Sequence, residues 1–134
     1  MRTTILCVLA ALTIGTAFES CGSKGSSTPE AALTITTNPT SGSDQAPAPG
    51  PTFTLTVTVT STMPPKGVTV AVTASVDGTA NSNFFTTSTS TTNATTTITI
   101  TGTPAQETCD VSITVTSNTQ SSNQVTASYK YAMK

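Results

Sequence analysis

Histidine and tryptophan are both missing from this chain of 134 residues, and only 8% of the residues carry charge. Without histidine there is no ordinary general base near neutral pH, no serine-type relay and none of the commonest metal ligand. Zinc chemistry goes with it. An average protein is about 25% charged. Here the net charge is −1, so no basic field exists to hold nucleic acid or an anionic membrane surface. Two tyrosines and four phenylalanines leave few rings on which a sugar could stack.

The acids that follow the apolar N-terminus are Glu30, Asp44, Asp77, Glu107 and Asp110. None forms the spaced pair that a glycosidase tunes for acid and base work. Asp77, Glu107 and Asp110 fall near strand ends, where three acids and backbone carbonyls could surround calcium, although solvated loop acids are far commoner. Lys66 lies in a Pro-Pro turn and Lys130 has the parity opposite Tyr129 and Tyr131, so neither reads as the buried lysine of an isopeptide crosslink. Asn93-Ala94-Thr95 is a formal glycosylation sequon. No catalytic residue, metal ligand or cofactor site emerges, and the chain reads as non-enzymatic.

What is present is organised. Residues 1–20 carry one arginine and an apolar run from Ile5 to Phe18, which fits the core of an export signal and falls short of a membrane span of ~20 residues. Two cleavage readings compete. Gly15-Thr16-Ala17 offers small residues for cleavage after Ala17. Phe18-Glu19-Ser20-Cys21 resembles a loose lipobox of the Bacteroidetes type, which implies lipidation at Cys21 and retention at the bacterial outer membrane or cell surface. The following CGSKGSST suits a flexible tether over 21–31. Cys7 leaves with the signal. Cys109 shares parity with Val111, Ile113 and Val115 and is expected in the core as a free thiol; a Cys21–Cys109 disulfide is the alternative if Cys21 is not acylated.

Residues 32–134 read as one all-β domain. Threonine makes up roughly a quarter of the chain, and β-branched residues suit a pleated surface. ALTITT at 32–37 predicts a short first strand, and FTLTVTVT at 53–60 a second with Phe53, Leu55, Val57 and Val59 on one face. Between them TSGSDQAPAPGP at 40–51 reads as an extended, solvated connection. GVTVAVTASVDG predicts a third strand with Val68, Val70, Val72, Ala74 and Val76 inward. NSNFFTTSTSTTN at 81–93 predicts a weaker strand or edge region whose Phe84 and Phe85 cap the core. ATTTITITG turns Ile98 and Ile100 inward, a sixth strand covers about 108–117, and NQVTASYKYAMK gives a last strand with Val125, Ala127, Tyr129 and Tyr131 on one face. About seven strands without a helical period match the pattern of an immunoglobulin-like β-sandwich.

GPTFTLTVTVTSTMPPKGVTVAVTASVDG resembles the second and third strands of bacterial immunoglobulin-like surface domains, the adhesion and repeat modules of exported proteins. The resemblance implies fold and an extracellular location, and it brings no catalytic residue. In such a fold the second and fifth strands are neighbours, so Thr54, Thr56, Thr58 and Thr60 lie beside Thr97, Thr99 and Thr101 on one uncharged outer face. High β-propensity explains such a face in the plainest way. Packing between copies in a filament, or recognition of a regular surface such as a polysaccharide or ice, are the sharper readings; ice ranks last because the rows come from unequal strands. The expectation is a structural or adhesive cell-surface protein, with a small carbohydrate-binding module as the alternative. Its partners would be further copies, through strand exchange or sheet packing, or a glycan, with membrane contact only through the lipid. Strand exchange in type V pilins follows cleavage at an arginine, and beyond Arg2 this chain has none.

Overall fold

The computed structural model describes residues 29–134. It is built of seven strands: β1 (Ile35–Asn38), β2 (Phe53–Val59), β3 (Val68–Val76), β4 (Asn83–Thr91), β5 (Thr95–Ile100), β6 (Thr108–Ser117) and β7 (Gln124–Ala132). Among the described residues there is no helix. The strands form two antiparallel sheets, β1-β2-β5 and β4-β3-β6-β7, packed as a β-sandwich.

Alternation in the sequence decides which side of each strand is dry. In β2, Leu55, Val57 and Val59 are buried while the threonines between them face outward. Val68, Val70, Val72 and Ala74 of β3 and Cys109, Val111, Ile113 and Val115 of β6 supply most of the opposing wall. A buried side chain of this kind contributes about 1.5–3 kcal/mol relative to its exposed state. A one-residue slip of β2 would therefore turn three of these groups into water and three hydroxyls into the core. Phe84 and Phe85 pack against the core from β4, as the sequence predicts.

The segment after β1 differs from the sequence expectation. Residues 42–48 are not a solvated linker; they run along the outer edge of β7, with bridges Asp44 to Lys130 and Ala48 to Met133 in parallel sense. Gly42 N donates to Ser128 O at 2.7 Å, Lys130 N to Ser43 O at 2.9 Å and Gln45 N to Lys130 O at 2.8 Å. The polar backbone of this proline-spaced stretch finds partners on an otherwise open edge, which favours docking over solvation. The chain thus changes sheets between Asn38 and Gly42, across the cis Asn38-Pro39 bond.

Candidate functional site

The outer face of the three-stranded sheet is the most uniform surface of the molecule. Register places Thr54 opposite Thr99, Thr56 opposite Thr97 and Thr58 opposite Thr95. On the other flank Thr36 lies opposite Thr58 and Asn38 opposite Thr56. Thr60 meets Thr34, with their hydroxyls 2.8 Å apart, and the Thr58 and Thr95 hydroxyls are 3.3 Å apart. Thr101 continues the outward parity of β5 and is exposed. All seven threonines expected on this face are therefore together on it, and Thr34, Thr36 and Thr95 join them. Parity alone was enough to find Thr95; Thr34 and Thr36 needed the knowledge that β1 pairs with β2.

The outer face of the other sheet is mixed. Thr69, Thr73, Thr114, Thr116 and Thr126 are interrupted by Ala71, Ser75, Ser112, Ser128, Asp110 and Lys130. Its charges gather at one end. Lys130 Nζ donates to Asp77 Oδ2 at 2.7 Å, with both side chains well exposed at 44% and 38%. That hydrogen bond holds the ammonium above its usual range, and the charges of Asp77, Asp110 and Asp44 act in the same direction. A shallow groove of about 360 Å³ opens there between Asp44, Asp77, Lys130 and Tyr131. The calcium arrangement of Asp77, Glu107 and Asp110 does not form: Asp77 is engaged by Lys130, and among the described residues no three potential ligands converge.

Neither tyrosine offers a platform for a sugar. Tyr129 and Tyr131 are each 2% exposed and belong to the core. The Tyr131 ring tilts against Phe53 at 4.3 Å between centroids, and its hydroxyl shares a 2.9 Å hydrogen bond with that of Thr103, itself buried. The Tyr129 hydroxyl is buried without a partner. Cys109 is a free thiol with no exposure, as its parity predicts, and burial pushes its pKa up, with the charge of Glu107 adding.

Asn123 organises the point where the chain enters the sandwich. Its side-chain oxygen accepts from Leu33 N at 2.9 Å, and its amide nitrogen donates to Glu30 Oε2 and to Ala31 O, each at 3.0 Å. The bond to Asn123 is the main reason the Glu30 carboxyl is held below its ordinary range. Cys21, the lipidation candidate, lies outside the described residues. No family model, curated protein or solved structure matches this chain.

Proposed function

We propose that this chain is a non-enzymatic, exported, lipid-anchored immunoglobulin-like domain with a structural or adhesive role at the surface of a bacterial cell. The observation that carries the reading is the outer face of β1, β2 and β5, where ten threonines and Asn38 occupy the outward positions without a charge or an aromatic ring. The strand order supports the fold assignment: β1, β2 and β5 correspond to strands A, B and E of an immunoglobulin-like sandwich, β3, β6 and β7 to C, F and G, and β4 joins the second sheet as C′ does. Asn123 fixes Glu30 and Ala31, the last two residues of the proposed 21–31 tether, to the domain.

Donation of the first strand to a neighbouring copy meets a specific requirement. Because residues 42–48 are held on β7, only 39–41 remain as a hinge. Three residues span at most about 10 Å. Exchange of β1 alone therefore demands a closely abutting neighbour, and a longer reach demands that 42–48 leave the edge of β7 as well.

The test pairs negative-stain imaging of the native cell surface with a glycan array probed with the same protein. The expected result is protein displayed on the surface with no tight ligand on the array. Tight binding to one defined glycan by unassembled protein would replace this reading with that of a carbohydrate-binding module, and protein confined to the cell interior would end it.

A further inference from the structure

The two sheets hold unequal numbers of strands, and the mismatch leaves β4 without a counterpart. Val68, Val70, Val72 and Ala74 on the inner face of β3 are all buried under the opposite sheet. Their cross-strand neighbours on the same face are Thr91, Thr89, Thr87 and Phe85 of β4. Thr89 is exposed, and Thr87 and Thr91 are only half-buried. Ile98 and Ile100 of β5 are buried, so the cover ends at β5. β4 is therefore the strand that the narrower sheet leaves least covered.

An open sheet edge is a template for another strand unless something guards it. Two of the four edges here are guarded, and β5, at six residues, is shorter than β4. The edge of β7 is occupied by residues 42–48. β1 has four residues and stops at Asn38-Pro39. β4 has none of these protections: it is nine residues long, NFFTTSTST, without a charge or a proline. The register with β3 shifts only between Ala74 and Ser75, which leaves Phe85–Thr91 as a regular run.

We infer that β4 is a self-association edge whose partner is β4 of a second copy, paired antiparallel about a two-fold axis at Ser88. The regular run is centred on Ser88, so the axis brings Ser88 against Ser88, Thr87 against Thr89 and Thr86 against Ser90. Every pair is neutral, and no like charges meet. The union is a continuous eight-stranded sheet, β7-β6-β3-β4 joined to its copy, and the isologous contact closes on itself as a dimer. A foreign strand could use the same backbone groups, but a second copy is self-complementary over the whole run. Pairing through one edge buries less than the ~1,200 Å² of a stable interface, so it is weak in free solution and favoured where copies are concentrated on a common surface. It deepens the surface-module reading by naming the partner, and it stands or falls separately from that reading.

The test places single cysteines in the full chain expressed in its own cells. Facing positions in an antiparallel pair have Cβ atoms about 4.5–5.5 Å apart, close to disulfide range. A mild thiol oxidant such as diamide takes two electrons and two protons from the paired thiols and is itself reduced to the hydrazine. Ser88→Cys is expected to give a disulfide-linked dimer at least ~10-fold above both wild type and Thr114→Cys, which lies on the same outer face two strands inward. Thr86→Cys and Ser90→Cys, which face each other across the axis, should crosslink on the cell surface when the two variants are co-expressed and not when either is expressed alone. Equal crosslinking of Ser88→Cys and Thr114→Cys, or no gain on co-expressing Thr86→Cys with Ser90→Cys while circular dichroism shows both variants folded, overturns the proposal. Neither failure bears on surface display or glycan binding, which the imaging and array experiments report.

Discussion

Two buried tyrosines one turn of the pleat apart allow a sharp test of the core. Both hydroxyls are out of reach of water, yet Tyr131 shares its hydrogen with Thr103 at 2.9 Å and Tyr129 has no partner. Removing a partner from a buried hydrogen bond costs about 1–2 kcal/mol, because the group left behind keeps its desolvation penalty. Tyr131→Phe leaves the Thr103 hydroxyl in that position and should destabilise by this amount. Tyr129→Phe deletes an oxygen that is already unsatisfied, and should be neutral or stabilise by about 1 kcal/mol. The two variants differ by one oxygen each at equal exposure, so packing cancels between them. A gap of about 2 kcal/mol corresponds to roughly 8–16 °C in Tm for a domain of this size. Thermal unfolding followed by circular dichroism measures it, with guanidinium titration as a check that the m-value is unchanged. Equal losses from the two substitutions would refute the hydrogen-bond assignment.

Cys109→Ser should destabilise by about 1–3 kcal/mol, since it buries a hydroxyl without an assured partner, and Cys109→Ala should cost less; rapid alkylation of the native thiol would contradict its burial. Asn123→Ala removes the acceptor for Leu33 N and the donor to Glu30 and Ala31, and should cost about 1–2 kcal/mol, with amide exchange accelerated first at Leu33. Burial raises both phenols, Tyr129 the more strongly, so the folded state keeps protons that the unfolded chain has lost. Stability from this source is complete below about pH 10 and falls as the pH rises further, and tyrosinate absorbance should appear together with unfolding rather than before it. Intact mass spectrometry of the cell-surface protein should find a diacylated Cys21 as the first residue, whereas an unmodified Phe18 terminus would remove the anchor.

The strands and their dry faces were legible in the sequence because alternation is a local property: Leu55, Val57 and Val59 must share a side wherever β2 is placed. The same holds for Cys109, whose parity with Val111 and Ile113 fixes it inward. Neighbours are a different matter, since backbone hydrogen bonds between strands carry little sequence information. The threonine face gained Thr34 and Thr36 only through the pairing of β1 with β2. The proline-spaced segment 42–48 reads locally as a solvated stretch, and it docks on β7 because a distant edge offers its amides partners. Likewise Thr87 and Thr89 of β4 have the pattern of an ordinary strand, and they are left uncovered because three strands lie over four. Composition and periodicity thus determined a sparsely charged, all-β, threonine-faced chain; which edges are closed and which stays open was decided by long-range pairing and by the unequal widths of the two sheets.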